Sequence, residues 1–79
     1  QSNNIKVYPN PSTGIFNIET NLNFETLEVY STDGRLIYSE EVKDKGMNLK
    51  LNLTNQSKGV YYLLLNNGKT IERKQLIIK

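Results

Sequence analysis

Apolar and polar residues alternate in short runs along this chain, and each run ends at a turn. Met47, Leu49, Leu51 and Leu53 point one way, against Asn48, Lys50 and Asn52. That is the cleanest period-two run, the signature of a strand with one wet face. Phe16 and Ile18 share a face in an earlier run, as do Leu27 and Val29 opposite Glu28 and Tyr30. Leu36 and Tyr38 are assigned one face of the next, with Ile37 between them. Asp33-Gly34 and Asn67-Gly68 are hairpin dipeptides, suited to the positive φ of a type I′ turn. Asp44-Lys45-Gly46 is a looser loop, and Pro9-Asn10-Pro11-Ser12-Thr13-Gly14 interrupts any ladder because proline lacks an N–H. No segment sustains a 3.6-residue period.

Two segments break the alternation. Val60-Tyr61-Tyr62-Leu63-Leu64-Leu65 is apolar on both faces, which predicts a central strand or one covered on both sides. The last segment alternates through Ile71 and Arg73, then shifts into Leu76-Ile77-Ile78, which predicts a bulge or a change of packing partner. Seven strands result: 5–8, 14–19, 25–31, 35–42, 47–53, 59–66 and 69–78. Their even spacing predicts an all-β fold, a seven-stranded antiparallel β-sandwich of immunoglobulin-like architecture. A small closed barrel is the alternative. With 0 Cys and 0 Trp, the sandwich has no disulfide and none of the antibody landmarks.

Composition excludes several functions. The 79 residues make one domain with one thin core. The absence of His removes the usual catalytic base and the commonest metal ligand. No apolar run approaches the roughly 20 residues that span a bilayer. Gln1–Asn4 is polar, unlike a secretory signal peptide. Residues 1–42 hold two cations and six acids, whereas residues 43–79 hold eight cations and two acids. Such asymmetry steers encounters or merely decorates solvated strand faces. The basic cluster Lys69, Arg73, Lys74 and Lys79 lacks the interleaved aromatics of a nucleic-acid stripe, so no nucleic acid is expected.

No catalytic constellation emerges. The acids fall at solvent-facing strand positions or in turns, not as a pair in a cleft. Ser57 and Lys58 are adjacent, so on a strand they face opposite ways. No glycine-rich loop leads from a strand into a helix, and Asp33 and Asp44 lack the spacing of a calcium loop. No enzyme activity and no cofactor are expected. Asn52-Leu53-Thr54 and Asn55-Gln56-Ser57 fit a glycosylation pattern that arises readily by chance. Five tyrosines offer either core packing or a stacking platform. Tyr61 and Tyr62 alternate, so one of them faces the core.

Four boxes, in order, carry a resemblance. Pro9-Asn10-Pro11 with Gly14 and Phe16 opens the chain. Asp33-Gly34 precedes an apolar strand. Leu51-Asn52-Leu53 leads through a short loop into Gly59-Val60-Tyr61. Lys74-Gln75-Leu76-Ile77-Ile78-Lys79 closes it. This series, from about Ile5 to Lys79, resembles the type A C-terminal sorting domain of type IX secretion. One departure is that four residues separate Lys74 from Lys79, where the family usually has three between its two lysines, and Gln75 stands where the first would align.

The resemblance implies an address label from a Bacteroidetes-type bacterium. Residues 1–4 would end a linker from an upstream cargo, and residues 5–79 would be the sorting domain. The cargo would transit the periplasm, cross the outer membrane through the translocon, and end at the cell surface or secreted. A shuttle protein captures such domains, and a sortase-like peptidase commonly removes them. The candidate recognition residues are Pro9, Asn10, Pro11, Gly59, Tyr61, Lys74, Leu76, Ile77, Ile78 and Lys79. Pro9-Asn10-Pro11 is either a structural turn or a loop that a partner reads. Gly59 serves positive φ or a close approach. Weak self-association through edge strands stays open. The alternative function is a surface module that binds glycan or acts as a spacer. Leu76–Ile78 either closes the sandwich or joins a partner's sheet or pore. Deletion of Leu76–Lys79 separates these: lost export with an intact thermal transition marks recognition, and lost folding marks packing.

Overall fold

A computed structural model describes residues 5–43 and 48–79. Seven strands run in chain order: β1 (Ile5–Tyr8), β2 (Ile15–Thr20), β3 (Thr26–Ser31), β4 (Leu36–Glu41), β5 (Asn48–Asn52), β6 (Gly59–Asn66) and β7 (Ile71–Ile78). They form two antiparallel sheets, β1-β2-β5 and β4-β3-β6-β7. The chain crosses between sheets after β2, β4 and β5. It is the immunoglobulin-like sandwich that the alternation implies, and the two open sheets exclude a closed barrel. The predicted strands agree to within about two residues at each end. Met47 and the Asp44-Lys45-Gly46 loop lie outside the described residues.

The core follows from the pleat. Phe16 and Ile18 of β2 and Leu51 of β5 project from one sheet; Leu27, Val29, Leu63, Leu65 and Leu76 project from the other, and all are almost fully buried. β6 lies between β3 and β7, the central position its apolar character calls for. Its inner residues Tyr61, Leu63 and Leu65 are buried, whereas Val60, Tyr62 and Leu64 are only half-buried on the outer face.

Two local expectations need correction, and the alternatives left open for β7 resolve to one. Leu36 and Tyr38 do not share a face. The β3–β4 register pairs Val29 with Tyr38 but Tyr30 with Leu36, so Ile37 is an extra residue, a bulge. Tyr38 therefore packs toward the core, while Leu36 turns out to solvent. The hairpin turns are not type I′, because no non-glycine residue among the described residues has positive φ. In the first, Gly34 N–H donates to Ser31 O and Ser31 N–H to Arg35 O, with Gly34 alone left-handed at φ 84°. That is a three-residue loop ending in a glycine bulge. β7 has no bulge either: it pairs with β6 without a break from Gly59–Ile78 to Asn66–Ile71. The change along β7 is one of partner. Its inner positions Glu72 and Lys74 are half-buried, whereas Leu76 and Ile78 are buried, and Ser12 bridges Ile78 on the strand's other side.

Leu76 is fully enclosed at the end of an edge strand. Leu76→Ala is expected to cost about 2–5 kcal/mol. Denaturant unfolding should show the loss as a lower midpoint with an unchanged slope.

Candidate functional site

The two ends of the sequence meet. The loop between β1 and β2 leaves one sheet and lies along the free edge of β7 in the other. Both of its prolines follow cis peptide bonds. The Asn10 side chain acts as a piece of strand: its Nδ2 donates to Gln75 O at 2.8 Å, and its Oδ1 accepts from Ile77 N at 3.0 Å. Two residues on, Ser12 N donates to Ile77 O and Lys79 N donates to Ser12 O, each at 2.9 Å. Four hydrogen bonds thus cover the β7 edge from Gln75 to Lys79. Peptide groups there that would otherwise template another strand are already used.

The loop is locked from behind as well. Ser12 is buried, and its hydroxyl donates to Ile15 O and accepts from Gly14 N. Gly14 sits against the chain leaving β5. Leu53 N donates to Gly14 O at 2.7 Å, and a Cβ at Gly14 would come within 2.8 Å of the Thr54 Cα. Only glycine fits there, at φ 135°.

A second device sets the crossing from β5 to β6. Gly59 opens β6 at φ 149°, with no atom crowding the place of a Cβ. Positive φ, not close approach, is therefore what this glycine supplies. Two residues later the buried Tyr61 hydroxyl donates to Ser57 O at 2.7 Å. A tyrosine at the start of a strand, bonded back to the preceding corner, pins that corner in immunoglobulin-like sandwiches.

Each recognition candidate now has a place. Pro9, Asn10 and Pro11 are exposed in the loop over β7, Gly59 and Tyr61 form the corner, and Leu76 and Ile78 are core. Lys74 and Ile77 are half-buried, on opposite faces of β7, and Lys79 is exposed. The structure brings Asn10, Ile77 and Lys79 together; Gly59 joins them through its pairing with Ile78. Ser12 and Thr54 escaped the sequence reading, since a loop serine carries no periodic signal. The Gly-x-Tyr spacing after a short loop was the available signal for the corner.

The surface carries three tyrosine–glutamate hydrogen bonds: Tyr8 to Glu19 at 2.9 Å, Tyr30 to Glu28 at 2.9 Å and Tyr38 to Glu40 at 2.6 Å. Each carboxylate holds the phenolic proton, aided by desolvation and its own charge, and so raises the tyrosine's pKa above the usual value. Asp33 is lowered, first by the Ser31 hydroxyl that donates to it and also by the Arg35 charge, against a desolvation that acts to raise it. These bonds fasten strand faces and turns. No cluster of three or more metal-binding side chains occurs among the described residues.

A sandwich of this kind, with its ends clasped and many polar side chains spent on shape, presents a defined surface suited to being recognised. Residues 6–79 match the family model of the secretion system C-terminal sorting domain, and the chain belongs to that family. It is a sorting signal for type IX secretion, which implies engagement of that machinery, attachment to an upstream cargo, and export to the cell surface or beyond. The family is not a known enzyme family. No curated protein matches the chain.

Replacing Asn10 tests the clasp. Asn10→Ala removes both side-chain bonds to β7 and is expected to cost about 1–2 kcal/mol. Asn10→Asp keeps the acceptor for Ile77 N but sets a carboxylate against Gln75 O. Its loss by denaturant titration should be comparable, and no rescue is expected from the retained shape.

Proposed function

We propose that this domain acts as a folded address, bound by the type IX machinery in the periplasm and not itself catalytic. Residues 1–4 end the connection to the cargo, and residues 5–79 are the unit that is read. A shuttle protein captures that unit, the translocon passes the cargo, and a sortase-like peptidase then removes the domain. The observation that carries this reading is the coincidence of the family's match with the clasp: its opening and closing boxes hold each other in one fold. A signal read as a linear tail would need its last strand free, and here that strand is spent on Asn10, Ser12 and the core.

Among the ten recognition candidates, the proposal gives two kinds of role. Asn10, Pro9, Pro11, Gly59, Tyr61, Leu76 and Ile78 keep the shape that is recognised. Ile77, Lys74 and Lys79 offer side chains at the surface. Edge-strand self-association is confined to edges other than the covered end of β7.

A Sec-exported fluorescent reporter fused ahead of the domain tests this in a type IX-competent bacterium and in its translocon mutant. The expected result is reporter outside the wild-type cell and trapped in the mutant periplasm. Retention in both strains, from a domain shown to be folded, would refute the address reading.

A further inference from the structure

The two outer faces of the sandwich differ in character. Across β1-β2-β5, the outward rows read Lys6–Glu19–Asn48, Tyr8–Asn17–Lys50 and Ile15–Asn52. That face is mostly polar, with Tyr8 and Ile15 apart from each other in separate rows. Across β4-β3-β6-β7, the rows read Leu36–Tyr30–Tyr62–Gln75, Ser39–Glu28–Leu64–Arg73 and Glu41–Thr26–Asn66–Ile71, with Val60 beside Ile77. At the end nearer the Ser31–Gly34 turn, apolar and aromatic side chains lie side by side over three or four strands. Leu36 is 47% exposed, and Tyr30, Tyr62 and Leu64 are half-buried with nothing of the described chain stacked above them.

This face owes its exposure to two sequence choices. β6 is apolar on its outer as well as its inner side, although only the inner side meets the other sheet. The bulge at Ile37 then turns Leu36 outward to extend the patch past Tyr30. Tyr30, Tyr62, Leu64 and Arg73, with the Ser31–Gly34 turn as one wall, line a shallow groove of about 420 Å³. The Arg73 side chain makes no ion pair or hydrogen bond with any described residue, whereas Glu28 is bonded to the Tyr30 hydroxyl. The groove therefore offers an unopposed positive charge at the margin of an apolar floor. Tyrosine and arginine are enriched at the centres of protein interfaces, where lysine and glutamate are depleted. An exposed apolar patch of this kind on a small soluble domain marks an interaction site.

We propose that the outer face of the four-stranded sheet, centred on Tyr62 and Leu64, is the surface by which the secretion machinery docks, and that its partner presents apolar side chains around a carboxylate that meets Arg73. The inference rests on the address reading above and names the surface that is read. It moves the contact away from the covered β7 edge and onto the neighbouring face, which includes Ile77 from the closing box.

The test adds three variants to the reporter fusion. Tyr62→Thr with Leu64→Thr keeps strand propensity and strips the floor. Arg73→Glu reverses the charge at an exposed position outside the core, so the fold is expected to stand. Lys6→Ser with Lys50→Ser alters the opposite face. Each purified domain is first checked for a cooperative thermal transition. Export is expected to fall roughly tenfold or more for the double threonine variant, as for the loss of two anchoring side chains. Arg73→Glu should fall at least about threefold, and the Lys6/Lys50 variant should match the parent. Parental export by Arg73→Glu and by a folded Tyr62/Leu64 variant would overturn the docking surface while leaving the address reading intact. A parent reporter indifferent to the translocon would refute the address reading, and this inference with it. Sedimentation of the free domain completes the test: a micromolar dimer abolished by the threonine pair would assign the face to a second copy instead.

Discussion

The sandwich depends on the contact between its first loop and its last strand. β7 is an edge strand, and its inner residues Leu76 and Ile78 help close the core. An edge strand bonded on one side only is prone to fray and to pair with other chains. Asn10 and Ser12 supply the missing side by four hydrogen bonds, and Ser12 does so from a buried position. The same loop passes directly into Gly14, whose lack of a side chain lets β2 approach the end of β5. One short stretch therefore ties the last strand of one sheet to the central strand β2 and the edge strand β5 of the other. In a domain of 79 residues without a disulfide, such a tie matters because the core alone is small.

That arrangement spends polar side chains on holding shape: Asn10 mimics a strand, Tyr61 pins a corner, and three tyrosines bind glutamates across or along strands. A sorting signal is attached to an upstream cargo, and a fold that closes on its own first loop and last strand holds its shape through its own contacts.

Much of the fold was legible because strand pairing follows side-chain alternation. β5 and the two inner residues of β2 were readable from period two alone, and the double-sided apolarity of β6 gave its central place. The family was legible only because four weak boxes stand in order. The errors have a common cause. A bulge at Ile37 and a glycine-bulge turn at Gly34 each add one residue, and one residue reverses every later face assignment. Nothing in the pattern announces such an insertion. The clasp was illegible for a different reason: Asn10 and Gln75 are 65 residues apart, and an asparagine between prolines reads first as a turn. The shift into Leu76-Ile77-Ile78 was a true signal of a change along β7, with the cause lying in Ser12 and not in a bulge.

The most direct measurement is native-state amide exchange at Ser12 and Ile77 in the isolated domain. Both amides are expected to exchange slowly, approaching the protection of Leu63 in the centre of β6, because opening either one requires the loop and the last strand to part. Exchange at the rate of an unpaired edge amide, with Leu63 still protected, would contradict that expectation. That result would show the last strand free at its outer side, and the closing box available as a strand for a partner.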